Sequence, residues 1–461
     1  MSIKIQNPAN PSQIVGTYPT MSPNDIPAMM TLARTAQRKW AQIPQHERGK
    51  IVDTFINGLE ERAEEIATAI TQEMGKLISE SRGEVTKAFG EGRSTSRRAS
   101  APIGEVFPSQ RPGMTTYSTR RPRGVILGIN PWNFPFSTPI RKTIPALIYG
   151  NAMVLKPSIS TPGAAFIMQD VADATLPKGL FQIAYGSGDL GSALTAANGV
   201  DAISFTGSVG VGRIVAKAAA ENLVEVSLEL GGKNPAILND TSNLDSVIDQ
   251  IYMSAFAVCG QRCTAISRVI VRRELEAQLV EGLSKRANAA QVGNGIIAAT
   301  TIGPLMGEKA LNTVENFVDR ARGAGAYVAA GGTIIEQNGG YFYAPTILSN
   351  VTPDMEIARD EVFGPVLVVI PYDTATEALE ICNDVEFGLS ACLYSEKTPI
   401  VEQFIAEAES GMIHVNCGSF PEDHVPFVGI KNSSLGVGGS NGTSTIQFYT
   451  SEHTVYRKGQ V

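Results

Sequence analysis

The feature that most constrains this chain is an alternation beginning at Gly124. GVILGI (124–129) is a short, wholly apolar run suited to a buried strand, and a helix-like stretch follows to about Tyr149. The pair then recurs: strand NAMVLK (151–156) with helix 162–174, strand FQIAY (181–185) with helix 187–197, and strand AISFT (202–206) with helix 208–220. Strand VEVSLEL (224–230) closes the series. Strand–helix units of about 25–30 residues predict a parallel sheet covered by helices on both faces. Beyond Gly232 a second alternation predicts helices near 244–258, 274–290 and 307–323, and strands near 266–271 and 366–370. At 461 residues the chain exceeds what one core normally supports. The expected fold class is α/β, with two doubly wound parallel-sheet (Rossmann-like) domains meeting near Gly231-Gly232.

The flanking segments differ. The first hundred residues read as helices: Ser22-Pro23 makes a good N-cap and first turn, and Ile26, Met29, Met30, Ala33 and Ala36 follow at helical spacing up to Trp40. A further helical pattern carries Ile51, Phe55, Leu59, Ile66 and Ile70. The run 114–122 and the tail STIQFYTSEHTVYRK (444–458) are both β-prone, and are expected to pair with each other within the chain or between subunits.

Composition excludes several classes. With 43% hydrophobic and 18% charged residues the chain is not disordered. A net charge of −7 makes a poor electrostatic partner for nucleic acid or anionic lipid. No stretch reaches the roughly 20 apolar residues needed to span a bilayer, and the start has no secretory h-region. Five sparse cysteines fit reduced thiols in the cytoplasm rather than a disulfide framework. Four histidines, with no Cys pair at zinc-finger spacing, predict no metal site.

Four segments place special residues near predicted strand ends, where α/β folds form their ligand crevices. Asn130-Pro131-Trp132-Asn133-Phe134-Pro135 is a rigid loop able to aim one amide, or simply a packed turn. In Phe205–Gly212 the glycines and a helix N-terminus suit an anion, although the spacing is not G-x-G-x-x-G and a tight turn accounts for it almost as well. Glu229 in LELGGK is a carboxylate in an apolar strand, either a raised-pKa base or a structural acid bonded to backbone. Cys263 follows the cationic Arg262, whose charge favours thiolate, whereas Cys259 reads as a buried small residue.

Taken together these segments resemble the aldehyde dehydrogenase superfamily along nearly the whole chain. The likeness is carried by PWNFP (131–135), LKPS (155–158), FTGSVGVG (205–212), LELGGKNP (228–235), GQRCTA (260–265) and EVFGPV (361–366). It implies a cofactor-binding domain from 1–113 and 124–231, a catalytic domain from 232–440, and a small oligomerisation β-sheet from 114–123 and 441–461. It also implies a homodimer or homotetramer. Cys263 would be the nucleophile, Asn133 with the Cys263 N–H the oxyanion site, and Glu229 the base that activates water for thioester hydrolysis. A CoA-acylating relative would have no use for that base. Lys156 and Glu361 would contact the cofactor's ribose hydroxyls, Phe363 would pack beside the nicotinamide ribose, and Ser208 with Gly207 and Gly212 would approach the pyrophosphate. Trp132, Ser158, Ile159 and Leu230 complete the cofactor set.

For the substrate, Arg141 matches a position where succinic semialdehyde dehydrogenases place an Arg on the distal carboxylate, and Arg262 adds a second cation. Phe134 and Phe427 would be apolar walls. This combination looks most like the 2-oxoglutaric semialdehyde dehydrogenases, with the succinic enzymes next. The expected partner is thus a small anionic aldehyde, the alternatives being another polar, sugar-derived or sulfonated aldehyde, or a non-catalytic protein on the same scaffold. NAD-selective members often carry Glu where this chain has Ile159. Its absence leans the cofactor expectation to NADP, with NAD also accepted.

Overall fold

The computed structural model describes residues 1–438 and 440–459. Gly439, Gln460 and Val461, which fall in the expected catalytic and oligomerisation segments, lie outside the described residues.

The N terminus departs from the helical expectation. Ser2–Asn7 (β1) and Asn10–Pro19 (β2) form an antiparallel hairpin. Ile3 and Ile5 alternate with Lys4 and Gln6, a period of two that overrides the helical reading. Helices follow at Ile26–Trp40 (α1), Gln45–Glu60 (α2), Ala63–Met74 (α3) and Ile78–Ser96 (α4). Helix α1 buries Ile26, Met30, Ala33 and Trp40 along one stripe, and Ser22 caps the turn leading into it.

Strands Val106–Phe107 (β3) and Met114–Pro122 (β4) precede the first alternating unit. That unit runs Val125–Ile129 (β5), Ser137–Ile148 (α5), Ala152–Lys156 (β6), Gly163–Thr175 (α6), Phe181–Ile183 (β7), Gly188–Thr195 (α7), Ala202–Thr206 (β8), Val209–Glu221 (α8) and Glu225–Glu229 (β9). The second unit holds Asn234–Leu238 (β10), Leu244–Phe256 (α9), Ile266–Arg272 (β11), Arg273–Ala289 (α10), Glu308–Gly323 (α11), Tyr327–Ala330 (β12), Thr346–Ser349 (β13) and Val366–Tyr372 (β14). It continues through Ala375–Asn383 (α12), Ser390–Tyr394 (β15), Thr398–Glu407 (α13) and Met412–Val415 (β16). Ser434–Gly436 (β17), Thr445–Tyr449 (α14) and Thr450–Lys458 (β18) complete the chain.

The first sheet has the order β17-β9-β8-β5-β6-β7, parallel except for β17. Leu127, Val154 and Ile203 lie side by side across β6, β5 and β8 and are fully buried. Each contributes about 1.5–3 kcal/mol of transfer free energy. The chain enters at β5 and leaves it on both sides, so the strand order reverses between β5 and β8 and a crevice opens at their carboxyl ends. The second sheet, β12-β13-β14-β11-β10-β15-β16, is parallel except at β12. Each sheet is packed into its own core.

Two details differ from the sequence reading. Strand β17 comes from the second half of the chain but pairs with β9, Ser434 opposite Glu229. In the tail, residues 445–449 form a short helix and only 450–458 form a strand. That strand pairs antiparallel with β4 within the same chain, from Thr450 opposite Pro122 to Lys458 opposite Met114. Strand β3 completes a three-stranded sheet.

Candidate active site

A cavity of about 620 Å³ lies where the carboxyl ends of β5, β8 and β9 face the loop leading into β11. Cys263, Glu229 and Asn133 all line it. So do Trp132, Gly207, Ser208, Leu230, Glu361 and Phe363 of the expected cofactor set, and Arg141, Arg262, Phe134 and Phe427 of the expected substrate set. Lys156, Ser158, Ile159 and Gly212 do not line this cavity. Lys156 ends β6, on the far side of β5, where burial lowers its pKa and its Nζ donates to the Pro157 carbonyl at 3.3 Å. Ser158 Oγ accepts from the Ser160 N–H at 3.2 Å, and the Ile159 side chain is part-exposed. Gly212 sits one turn into α8, where a Cβ would meet Leu230 Cδ2 at 2.5 Å, so glycine lets the helix close on the cavity wall.

The cysteine is delivered by an unusual turn. Val258, Cys259 and Gly260 are all left-handed, with φ of 58°, 54° and 69°. This conformation is costly for a β-branched residue and persists only where the surroundings over-determine it. Three contacts do so. Glu80 Oε1 accepts from the Val258 N–H at 2.7 Å, Gln261 Nε2 donates to the Val258 carbonyl at 3.3 Å, and Gly260 packs so that a Cβ would lie 2.1 Å from the Gly364 carbonyl. Cys259 is buried, as expected of a small core residue, while Cys263 is partly exposed to the cavity. Burial pushes the Cys263 thiol up to about 12. Glu229 and Glu361 add to this, and Arg141 and Arg262 oppose it.

Asn133 Nδ2 donates to the Gln261 carbonyl at 2.9 Å, fixing the amide beside the cysteine turn and leaving one N–H to donate elsewhere. The Asn133 carbonyl accepts from Lys76 Nζ at 2.7 Å, and Lys76 is itself paired with buried Glu84 at 2.6 Å. The second expected oxyanion donor, the Cys263 N–H, makes no hydrogen bond among the described residues.

Glu229 is buried at the end of β9, its Oε2 3.5 Å from Thr206 Oγ1. Thr206 accepts in turn from Lys142 Nζ at 2.8 Å, and Lys142 also donates to Ser204 at 3.0 Å. Burial pushes Lys142 down to about 8, opposed by the Glu229 charge. Lys142 and Thr206 were not among the sequence candidates, because a lysine in an apolar helix carries no motif.

On the side of the expected cofactor residues, Glu361 Oε1 accepts from the Gly232 N–H at 3.0 Å, and burial raises its pKa to about 7. Its carboxylate crosses Gly231 so closely that a Cβ there would lie 2.2 Å from Oε2. Trp132 and Phe363 meet edge to face at 5.5 Å. Ser208 caps α8 and accepts from the Val211 N–H at 3.5 Å, so the start of a 13-residue helix opens onto the cavity beside Gly207.

Helix α4 supplies the residues that sequence reasoning missed. Glu80, Glu84 and Glu91 fall at spacings of four and seven; Glu84 and Glu91 are buried and Glu80 half-buried, Glu80 and Glu84 line the cavity, and Glu91 reaches it through Arg141. A carboxylate stripe on a helix packed into a core was the available signal.

The comparisons with known proteins agree with the fold. A family model described as the aldehyde dehydrogenase family matches residues 1–455. The alpha-ketoglutaric semialdehyde dehydrogenase of Bacillus subtilis (strain 168) is 35% identical over 462 residues, covering 99% of this chain and 94% of that protein. Among solved structures, lactaldehyde dehydrogenase from Escherichia coli matches with a TM-score of 0.96 and 34% identity, covering 100% of this chain and 96% of that one. A 3,6-anhydro-L-galactose dehydrogenase in complex with NAP matches with a TM-score of 0.95 and 30% identity, covering 99% and 96%.

Proposed function

Because the chain belongs to the aldehyde dehydrogenase family, we propose that it oxidises an aldehyde with a distal carboxylate, 2-oxoglutaric or succinic semialdehyde, to the corresponding diacid. It is an NAD(P)-dependent aldehyde dehydrogenase. The observation that carries the substrate reading is the presence of two guanidiniums, Arg141 and Arg262, in the wall of the cavity that holds Cys263, Asn133 and Glu229.

In this reading the Cys263 thiolate attacks the aldehyde carbon, and the resulting thiohemiacetal oxyanion takes hydrogen bonds from Asn133 Nδ2 and the Cys263 N–H. A nicotinamide held by these residues would supply the two-electron oxidation as hydride acceptor, so that Cys263 is left carrying the acyl group as a thioester. Glu229 takes a proton from water as it attacks the thioester, and collapse of the adduct releases the acid and restores the Cys263 thiolate. The residues present suit a dinucleotide: the α8 N-terminus with Gly207 and Ser208 for phosphate, Glu361 for a ribose, and the Trp132–Phe363 edge for the ring. Asn133→Ala is expected to lower kcat on the order of 10²–10³-fold with the fold intact, since one preorganised oxyanion donor is lost. Steady-state rates beside an unchanged thermal melt check this.

The cofactor preference we infer is NADP, with NAD accepted, from Ile159 beside Lys156 and Ser158 at the end of β6. Ile159→Glu places a carboxylate where it repels a 2′-phosphate. It is expected to lower kcat/KM for NADP relative to NAD by roughly tenfold or more. Equal effects on both cofactors would remove Ile159 from that role.

A second reading, an uncharged polar or sugar-derived aldehyde, is favoured by one contact: Arg141 is ion-paired with buried Glu91. An initial-rate panel decides between them, setting 2-oxoglutaric and succinic semialdehydes against butanal, benzaldehyde and glyceraldehyde with each cofactor. A preference of about tenfold in kcat/KM for the acids, roughly 1.4 kcal/mol, supports the anionic reading. A preference for glyceraldehyde replaces it. We place the enzyme in the cytoplasm as a homo-oligomer. No helix among the described residues is long and apolar enough to cross a membrane.

A further inference from the structure

The two cavity arginines differ in what balances them. Arg141 presents its fork to Glu91, Nη2 to Oε1 at 2.7 Å and Nε to Oε2 at 3.3 Å. Glu91 is almost wholly buried and also accepts from Asn441 Nδ2 at 3.3 Å, so three elements hold the pair in place. The Arg141 guanidinium lies over the Phe427 ring at 4.9 Å. Together Arg141 and Glu91 carry no net charge, and Arg141 keeps Nη1 as a donor without an acceptor among the described residues.

Arg262 is different. It lies over the Phe420 ring at 4.1 Å, and its Nη2 donates to the Ser254 carbonyl and to Ser419 Oγ, both at 3.3 Å. Both of those acceptors are neutral. Its buried Nε has no acceptor, and no carboxylate forms an ion pair with it among the described residues. Glu80 is the carboxylate whose field reaches it, and Glu80 is engaged by the Val258 and Leu77 N–H groups, with burial favouring its neutral form. The remaining cavity lysine, Lys87, is paired with Asp423 at 3.4 Å. Arg262 is thus the arginine of the cavity wall whose charge is not cancelled at contact distance. In a desolvated site that difference governs how strongly an anion is drawn.

We propose that Glu91 is a specificity-determining positioning residue: by cancelling the charge of Arg141 it leaves Arg262 to select the distal carboxylate, while Arg141 donates a hydrogen bond to an uncharged oxygen of the same substrate. This rests on the anionic reading of the site and narrows it to aldehydes that carry both a carboxylate and an internal carbonyl or hydroxyl, as 2-oxo acid aldehydes do.

The test is the ratio of kcat/KM for each semialdehyde acid to that for butanal, measured in the wild type and in Arg262→Met, Arg141→Met, Glu91→Gln and Glu91→Asp. Arg262→Met is expected to lower the ratio for succinic semialdehyde by roughly tenfold or more, through KM. Arg141→Met is expected to move that ratio by less than about threefold and to erase the advantage of 2-oxoglutaric over succinic semialdehyde. Glu91→Gln releases the Arg141 charge and should raise the ratio, with Glu91→Asp returning it toward wild type. A purely structural role for Glu91 would instead lower both rates together. If Glu91→Gln does not fold, the two arginine variants decide alone. Collapse of the ratio in Arg141→Met with little change in Arg262→Met overturns the division of roles and leaves the anionic reading standing. A wild-type ratio near one overturns the anionic reading and the proposal with it.

Discussion

Cys263→Ala is expected to abolish aldehyde oxidation, lowering kcat on the order of 10⁴-fold or more while the protein still folds and binds cofactor. Removing the sulfur deletes the covalent route, and no other side chain among the cavity-lining residues is a thiol. Cys259, four residues earlier, is buried in the second core and cannot substitute. Loss of all reduced-cofactor formation, pre-steady-state phase included, with cofactor still quenching tryptophan fluorescence, is the expected result. A surviving burst would take the nucleophile away from Cys263. The free thiol also has a predictable titration. With its pKa pushed up to about 12, the thiolate fraction rises about tenfold per pH unit from pH 7 to 9 without levelling. Alkylation by iodoacetamide, followed at the Cys263 peptide so that exposed Cys417 does not contribute, should climb accordingly. A plateau near pH 8 would mean that the cavity arginines outweigh burial.

Glu229→Gln separates the two halves of the reaction. The amide keeps the shape and the strand pairing but cannot take a proton from water, so the thioester forms and then persists. A burst of reduced cofactor stoichiometric with enzyme is expected, followed by turnover lowered 10²–10⁴-fold. Stopped-flow absorbance for the burst and mass spectrometry for the acylated Cys263 peptide check it. The strand places Glu229 against Thr206, and Thr206 on Lys142, so replacing the carboxylate by an amide leaves each of those hydrogen-bonding partners present. Full steady-state activity would remove Glu229 from hydrolysis. An enzyme whose activity in the variant is restored by a small thiol in place of water would identify acyl transfer as its chemistry instead.

What the sequence made legible follows from where the signal is local. The strands at 125–129 and 152–156 are short, largely apolar and fully or nearly fully buried runs, and a buried parallel strand can hardly be written otherwise. The tail's pairing with 114–122 was legible because both segments are β-prone. The hairpin of residues 2–19 was lost behind a helix reading of its neighbours. Five strands of the second sheet, at 234–238, 327–330, 346–349, 390–394 and 412–415, are only four or five residues long and are fixed by their neighbours in the sheet more than by their own pattern. In the site, motif residues could be found because each carries its chemistry in its own type and setting. Glu91 and Glu80 offered only their carboxylate spacing along α4 and Lys142 offered no motif, because what each does depends on a partner 50, 178 or 62 positions away.

Strand β17 has a consequence for how this protein comes into being. Residues 434–436 form the outer strand of the first sheet, and Ser434 lies opposite Glu229. A ribosome that has released the first 231 residues has therefore produced every helix of that unit and its five parallel strands, but with the edge of β9 still open. The strand holding the base is closed off only when residues 434–436 emerge, about 200 residues after Glu229 and shortly before the segment that pairs with 114–122. A chain that ends between residues 263 and 434 thus has Cys263 but no finished seat for the base beside it. Competence for turnover is withheld until residues 434–436 have been made, and a chain cut before them is left with an open sheet edge beside the base.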